Sequence, residues 1–320
     1  MKNTVNGLKR NTCLVIVGPT ASGKSALAVE LALQFNGEII SADSMQIYKG
    51  FDIGTAKPSA EEMKSVPHYL IDTVSPLEEY SAAQFQKDAS GYIDEITSRG
   101  KLPIIVGGTG LYINSLIYNI EYSEAKADDD IRRRLNDEYN KYGKEYLYGK
   151  LKQIDPNAAV NIHVNNVKRV IRALEVYEIT GERFSEHVER SRLRPPEYDF
   201  IIIGLNPERS YMYERIDKRV DEMIENGLVD EVKSLNNTGM LEGKTSSAGI
   251  GYKEIKEYLI GEISLETAIE KIKLGTRHYA KRQMTWFRKT ENVNWIDVYP
   301  YTTLENVIDL SKNIIVSHIA

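Results

Sequence analysis

A glycine-rich segment near the start of the chain has the residue types and spacing of a phosphate-binding loop. The segment Gly18-Pro19-Thr20-Ala21-Ser22-Gly23-Lys24-Ser25 matches the pattern G-x-x-x-x-G-K-[ST]. Glycines allow backbone N–H groups to converge on phosphate oxygens at a helix N-terminus, Lys24 adds a positive charge, and the Ser25 hydroxyl is suited to hold Mg²⁺. We therefore predict that this segment binds a phosphorylated compound. A glycine turn that merely precedes a helix is the competing structural interpretation.

Polar residues also follow two other predicted strands. Asp43 follows one of them, and Gly107, Gly108 and Thr109 follow the other. If the strands are parallel, these residues share one edge of the sheet with the phosphate loop, where ligands of open sheets gather. A carboxylate beside a bound diphosphate suggests a metal ligand or a general base, although an aspartate after a strand is equally typical of a helix cap. The two glycines suit either a tight turn or the close approach of a ligand to the backbone.

The elements that position these residues follow an alternating pattern of strands and helices, which predicts an α/β fold with a parallel sheet. A helix from Gly23 to Phe35 should end at Asn36-Gly37. The strands are predicted at Thr12–Val17, Glu38–Ala42, Tyr69–Asp72, Leu102–Val106, Tyr198–Leu205 and Asn294–Val298.

Apolar residues at helical spacing replace the strands in the middle of the chain. We predict an all-helical insertion domain at residues 122–194, and a core domain formed by residues 1–121 and 195–320. The run at 198–205 then returns to the sheet, so that the core is completed by residues distant from its start.

Composition limits the classes of protein to consider. The 320 residues are 42% hydrophobic, which is normal for a globular protein, and the net charge of −5 argues against a uniformly basic surface for indiscriminate nucleic-acid binding. Cys13 is the only cysteine and lies in an apolar run, so no internal disulfide is expected. No apolar stretch approaches the roughly 20 residues that span a bilayer, and the polar start of the chain does not look like a signal peptide. We expect a cytoplasmic monomer that does not bind membranes.

Six blocks of sequence resemble the bacterial tRNA dimethylallyltransferase family. In chain order they are GPTASGKS, ISADSMQIYKGFDIGTAKP, VGGTGLY, KRVIRALEVYEITG, GIGYKE and YAKRQMTWFRK. The resemblance implies a P-loop NTPase-like core with a helical insertion that grips the anticodon stem-loop of tRNA. It further implies dimethylallyl diphosphate as co-substrate, Mg²⁺ as cofactor, and transfer of the prenyl group to N6 of the adenosine immediately 3′ of the anticodon, in tRNAs reading codons that begin with U.

The resemblance also implies roles for individual residues. The loop from Gly18 to Ser25 binds the donor diphosphate, with Lys24 catalytic and Ser25 on Mg²⁺, and Asp43 is the general base. Thr109 is expected to act in catalysis and to reach the same tRNA base, and Arg219 to contact the diphosphate. The other expected tRNA contacts are Ser44, Met45, Gln46, Lys168, Arg169, Val170, Ile171 and Arg172. We add Lys281 and Arg282, because they lie beside Trp286 and Phe287 in a basic segment suited to RNA.

Two positions depart from the family pattern. Asn166 stands where an aspartate is expected and His278 where a glutamine is usual, which affects local RNA contacts but removes no catalytic group.

Three other functions compete with the one that the resemblance implies. A phosphate-loop nucleotide kinase or NTPase would use Asp72 as its acidic Mg²⁺ ligand. An adenylate isopentenyltransferase, which prenylates free AMP, would not need the insertion. A non-catalytic RNA-binding module would need neither the loop nor Asp43.

Overall fold

A parallel six-stranded sheet lies at the centre of the fold. The structure is a computed structural model that describes residues 11–122, 128–243 and 245–318, and the polar start at residues 1–10 lies outside these ranges. The strand order is β3-β2-β4-β1-β5-β6 and every described pair is parallel. This topology confirms the predicted α/β class. The strands are β1 (Thr12–Val17), β2 (Gly37–Ser41), β3 (His68–Tyr69), β4 (Leu102–Gly107), β5 (Asp199–Pro207) and β6 (Val293–Val298).

The central strands form because their aliphatic runs are buried on both faces of the sheet, as parallel sheets require. Their register brings the carboxyl ends together: Val17 of β1 lies opposite Gly107 of β4, and Ser41 of β2 lies opposite Val106. The segments that follow β1, β2 and β4 therefore leave the sheet at one edge.

The helix after the phosphate loop is α1 (Lys24–Phe35). It ends as predicted, because Asn36 adopts a left-handed conformation (φ 52°) and its N–H bonds to the carbonyl of Ala32. Gly37 already belongs to β2 and is needed for space, since a Cβ there would lie 2.7 Å from Ile104 Cδ1.

The prediction of a strand from Tyr69 to Asp72 is wrong. Only His68 and Tyr69 pair with β2. Leu70 (φ 60°) and Asp72 (φ 54°) adopt left-handed conformations that no strand accommodates, so the chain turns away from the sheet. The Asp72 carboxylate forms an ion pair with Lys57.

The chain divides into two compact units, one of residues 1–115 and 198–320 and the other of residues 116–197. The first contains the sheet. Its described helices, besides α1, include α2 (Ala60–Met63), α3 (Ala82–Ser98), α10 (Arg209–Glu225), α11 (Leu228–Asn237), α12 (Tyr252–Leu259), α13 (Leu265–Phe287) and α14 (Leu304–Ser317). The boundary between residues 115 and 116 falls within α4 (Gly110–Ile117).

The second unit contains helices and no strand in its described part, and it has its own apolar core. Leu135, Leu147, Leu151 and Leu174 are buried together there. Its helices are α5 (Asp129–Tyr142), α6 (Lys144–Ile154), α7 (Pro156–Asn161), α8 (Val167–Thr180) and α9 (Phe184–Leu193). Across the residues described, no helix has both the length and the apolar character needed to cross a membrane.

Candidate active site

The phosphate loop connects β1 to α1, and two of its amides bond within the protein: the N–H of Thr20 donates to Gln283 Oε1 at 2.8 Å and the N–H of Ser22 to the carbonyl of Pro19 at 3.3 Å. Gly18 (φ 152°), Ala21 (φ 60°) and Gly23 (φ 92°) lie at positive φ, and no acidic side chain occupies the first turn of α1. The Ser22 hydroxyl is buried and has no hydrogen-bond partner among the described residues. A helix N-terminus with this surplus of donors attracts an anion.

Two cations face this loop without a counter-ion at contact distance among the residues that the structure describes. Lys24 Nζ donates to the carbonyl of Pro19 at 3.1 Å, and burial, assisted by the charge of Arg219, lowers the pKa of Lys24 to about 8 although Asp43 acts in the opposite direction. Arg219 of α10 reaches Thr20 Oγ1 and the carbonyl of Ala56, each at 3.4 Å. Burial lowers the pKa of Arg219, again opposed by Asp43. A bound anion would remove this imbalance of charge.

Asp43 and Thr109 meet at the ends of β2 and β4, as the sequence predicted for parallel strands. The N–H of Thr109 donates to the carbonyl of Ala42 at 3.2 Å, and its Oγ1 accepts from the N–H of Ser44 at 3.0 Å. Asp43 Oδ1 accepts from the backbone N–H groups of Met45 (2.9 Å) and Gln46 (3.3 Å). Asp43 is therefore a turn cap through Oδ1, and no described residue donates to its Oδ2.

Gln46 lies at the same edge, but both polar atoms of its side chain are hydrogen-bonded within the protein. Its Oε1 accepts from Ser41 Oγ at 3.3 Å, and its Nε2 donates to the carbonyls of Thr55 and Ala56, each at 3.2 Å. The amide thus ties the end of β2 to the loop at residues 50–57.

Gly107 and Gly108 are glycines because protein atoms approach them. A Cβ at Gly107 would lie 2.1 Å from the carbonyl oxygen of Ala42, and a Cβ at Gly108 would lie 2.1 Å from Gln283 Nε2. Of the two alternatives that the sequence left open, a tight turn and the close approach of a ligand, neither is needed to explain these glycines, because protein atoms already occupy the space.

Gln283 and Tyr279 were not identified from the sequence. Gln283 is buried in α13; its Oε1 accepts from the N–H of Thr20 at 2.8 Å, and its Nε2 donates to the carbonyl of Gly108 at 3.0 Å. It thereby joins the phosphate loop to the end of β4. Burial, and then the charge of Asp43, raise the pKa of Tyr279 to about 12, so its phenol stays protonated. The spacing of Ile272, Thr276, Tyr279 and Gln283 is that of one helix face, and this signal was present in the sequence.

Most of these groups line one cavity of about 350 Å³ in the sheet-containing unit, whereas Gly108 and Thr109 lie behind its lining residues. The helices α10 and α13 each contribute both polar and apolar residues to its lining. Arg282 lies at its rim, with its guanidinium 5.7 Å from the Tyr279 ring centre. Among the predicted site residues, those that line the cavity are Thr20, Lys24, Ser25, Asp43, Ser44, Met45, Gln46, Arg219 and Arg282. The apolar wall includes Ile216, Val220, Met223, Ile250 and Ile272.

The remaining basic candidates lie on exposed helix surfaces, except for Arg172. Lys281 of α13 is exposed in the first unit, and Lys168 and Arg169 of α8 are exposed in the second. Asn166 caps α8 by accepting from the N–H of Arg169 at 3.3 Å, so the departure from aspartate preserves the cap. Arg172 is half-buried and paired with Glu175 at 2.8 Å.

Val170 and Ile171 have a different environment from the basic residues around them. Their side chains are buried in the apolar core of the helical unit. They hold α8 in place, and the expectation that they contact tRNA directly is not retained for their side chains.

The sequence is similar to one protein family and to individual proteins of known function. Residues 46–290 match the family described as IPP transferase. A tRNA dimethylallyltransferase of Acetivibrio thermocellus is 58% identical over 295 residues, which are 92% of this chain and 94% of that protein.

Solved structures agree in fold. The crystal structure of the full-length tRNA isopentenylpyrophosphate transferase from Bacillus halodurans has a TM-score of 0.73 and 46% identity, with 97% of each chain covered. A eukaryotic dimethylallyltransferase acting on tRNA has a TM-score of 0.80 and 31% identity, covering 96% of this chain and 80% of that one.

Proposed function

Because the chain belongs to the IPP transferase family, we propose that the cavity at the sheet edge is the active site of a tRNA dimethylallyltransferase. The enzyme moves a dimethylallyl group from its diphosphate to tRNA. The acceptor in this proposal is the exocyclic N6 of the adenosine immediately 3′ of the anticodon, in tRNAs that read codons beginning with U. The products are N6-dimethylallyladenosine and diphosphate.

The observation that carries the proposal is the position of Asp43 beside the phosphate loop in one cavity. The N6 amine is a poor nucleophile because its lone pair is delocalised into the adenine ring. As its nitrogen bonds to the allylic carbon, a proton leaves the nitrogen and the carbon–oxygen bond to the diphosphate breaks. Asp43 is suited to accept that proton through Oδ2, because the turn holds Oδ1. Thr109 fixes the same turn through Ser44.

The departing diphosphate takes the electron pair of the broken bond, and cations around the loop stabilise the charge. Lys24, Arg219 and the loop amides surround the position that we assign to it. Among the described residues, no three His, Cys, Asp or Glu side chains form a metal cluster. Ser25 lines the cavity beside Lys24, so its hydroxyl would be the protein ligand of a Mg²⁺ held mainly by substrate phosphates and water. Mg²⁺ would supply further charge neutralisation for the leaving group.

We propose tRNA contacts in each of the two units. Lys281 and Arg282 in the sheet unit, and Lys168, Arg169 and Arg172 in the helical unit, supply cations for phosphates. Extruding the target base costs a few kcal/mol of stacking, which such contacts offset. A tRNA substrate also supports the expected cytoplasmic location, and the monomeric state stays a prediction.

The kinase alternative loses its supporting residue. It requires Asp72 as a Mg²⁺ ligand, but that carboxylate pairs with Lys57, whose side chain is buried. Transfer to free AMP gives no role to the exposed cations of the helical unit.

The direct test is incubation with Mg²⁺, dimethylallyl diphosphate and unmodified tRNA whose anticodon is followed by adenosines. Digestion and mass spectrometry should show one prenyl group on one adenosine. The same tRNA with the adenosine 3′ of the anticodon changed to guanosine is the matched control and should stay unmodified. Prenylation of AMP in preference to tRNA, or phosphate transfer from ATP without prenylation, would overturn the proposal.

A further inference from the structure

Glu231 in the first turn of α11 fixes a loop in the wall of the cavity. Its Oε2 accepts from the backbone N–H groups of Asp52 (3.2 Å) and Ile53 (2.7 Å), and its Oε1 accepts from the N–H of Gly54 at 3.2 Å. The Tyr252 hydroxyl donates to Oε1 at 2.6 Å. One carboxylate thus joins three consecutive amides of the loop at residues 50–57 to α11 and α12.

The other end of this loop holds two groups of the proposed site. The carbonyl of Ala56 accepts from Gln46 Nε2 at 3.2 Å and from Arg219 Nη2 at 3.4 Å. Gln46 follows the general base along the chain, and Arg219 faces the phosphate loop. A single carbonyl therefore connects the acceptor side of the cavity with the donor side.

The loop is compact, so its two ends move together. The N–H of Ala56 bonds to the carbonyl of Ile53 at 2.9 Å, and the N–H of Lys57 bonds to the carbonyl of Asp52 at 3.0 Å. Ala56 is held at φ 48°, a conformation that an alanine adopts only when its surroundings impose it. Fixing residues 52–54 therefore fixes the Ala56 carbonyl.

We propose that Glu231 is a positioning residue for both substrates: by anchoring the loop at residues 52–54 it places the Ala56 carbonyl, which sets Gln46 and Arg219. The inference rests on the proposed function, since it assigns Arg219 to the diphosphate and the segment after Asp43 to the tRNA base. Glu231 touches neither substrate in this proposal.

The charge of Glu231 is required because all four of its partners are donors. A carboxamide has only one acceptor oxygen, so its NH₂ group would face at least one N–H or O–H donor. The buried Tyr252 phenol reflects this environment: burial and the negative charge of Glu231 raise its pKa far above the usual range. Glu231→Gln keeps the size of the side chain and removes the anchor, and Tyr252→Phe removes one of its four hydrogen bonds.

The test compares Glu231→Gln with Asp230→Asn, an exposed carboxylate in the same helix turn that lies outside the site. Steady-state kinetics with dimethylallyl diphosphate and tRNA should show KM for both substrates raised about tenfold or more in Glu231→Gln, which corresponds to one disrupted charge-assisted contact. Tyr252→Phe should show a smaller rise, and Asp230→Asn none. Amides 52–54 should exchange hydrogen faster in Glu231→Gln alone.

Three outcomes would overturn the inference. They are a lower unfolding midpoint with both KM values unchanged, a rise in only one KM, and unchanged hydrogen exchange at residues 52–54. If the native chain and Asp230→Asn do not prenylate tRNA, the proposed function fails instead. Faster hydrogen exchange in Glu231→Gln would then still support the anchor, because that measurement needs no substrate.

Discussion

The cavity edge of the sheet and the helical unit differ in whether their charged side chains have ion-pair partners. In the helical unit, the buried carboxylate of Glu175 accepts from Arg132 Nε and Arg172 Nη1, each at 2.8 Å, and from the N–H of Asp128 at 3.0 Å. Glu138 likewise pairs with Arg134 at 3.2 Å and Lys150 at 2.5 Å. Each of these carboxylates therefore has two cationic partners within the unit.

At the sheet edge the charges lack that compensation. Within the described part of the chain, neither Lys24 nor Arg219 forms an ion pair at contact distance, and Ser22 Oγ is buried without a partner. Unsatisfied buried groups reduce stability and persist where function requires them. The difference indicates that the edge is built for an added anion, whereas the network of the helical unit serves its own stability.

Replacing Asp43 gives the largest expected effect. Asp43→Asn retains Oδ1 as acceptor for Met45 and Gln46, but it cannot take up a proton. We expect kcat to fall by about 10²- to 10⁴-fold, the usual contribution of a general base. The dissociation constant for tRNA should stay within about threefold, less than 1 kcal/mol. Single-turnover prenylation and tRNA binding measure the two quantities.

Asp72→Asn is the matched control for that variant. Its ion pair with Lys57 leaves the Asp72 side chain 48% exposed, and such pairs contribute at most about 1 kcal/mol, so turnover should fall by less than about fivefold. The kinase alternative requires the reverse order of effects. Unaltered turnover in Asp43→Asn would exclude this residue as the base.

The helical unit should respond in stability and not in chemistry. Glu175→Gln leaves two guanidinium groups without their anion. We expect the free energy of unfolding of this unit to fall by about 2–3 kcal/mol, less than the roughly 3–5 kcal/mol of a fully buried pair. The reason is that the side chains of Arg132 and Arg172 are 38% and 34% exposed. Urea unfolding with hydrogen exchange in α5 and α8 measures this. Asp130→Asn, which breaks the exposed pair with Arg133, should change nothing, and equal stability of the two variants would contradict the comparison.

The sequence predicted the sheet well where burial alone decides the structure. The limits of β1 agree with the prediction, and those of β2, β4 and β6 differ by one residue, because continuous aliphatic runs between turn residues leave little choice. The prediction was wrong beyond Tyr69, because the contact between Lys57 and Asp72 is tertiary and has no local signal. The buried positions of Val170 and Ile171 were visible in the apolar spacing of α8, although the family resemblance led us to expect tRNA contacts.

The site was predictable at its strand ends and less so across the chain. The phosphate loop and Asp43 follow from local patterns. The residues that support the site do not follow from local patterns. Gln283 forms hydrogen bonds with Thr20 and Gly108, and Glu231 with residues 52–54, and these partners are far apart in the sequence. A hydrogen bond between distant residues leaves no periodicity in the sequence, and so the reason for Gly108 became clear only from its contact with Gln283.

The smallest expected effect is a pH dependence that comes from the uncompensated charge of Lys24. Burial holds its pKa at about 8 in the free enzyme, and a bound diphosphate favours the protonated form. Protonated Lys24 therefore contributes fully to diphosphate affinity below pH 8. Above it the contribution falls by up to about tenfold per pH unit until the pKa of the complex is reached. Calorimetry with inorganic diphosphate from pH 6.5 to 9.5 follows this change.

Lys24→Met separates this effect from the ionisation of the diphosphate, which is common to both proteins. The ratio of the two dissociation constants should be constant at neutral pH and approach unity as the pH rises past 8, because the native chain loses the charge that the variant lacks. A ratio that stays constant to pH 9.5 would mean that Lys24 keeps its proton, as a lysine with a close carboxylate partner does. The sheet edge would then resemble the helical unit in its charge compensation, and the contrast between the two regions would not hold.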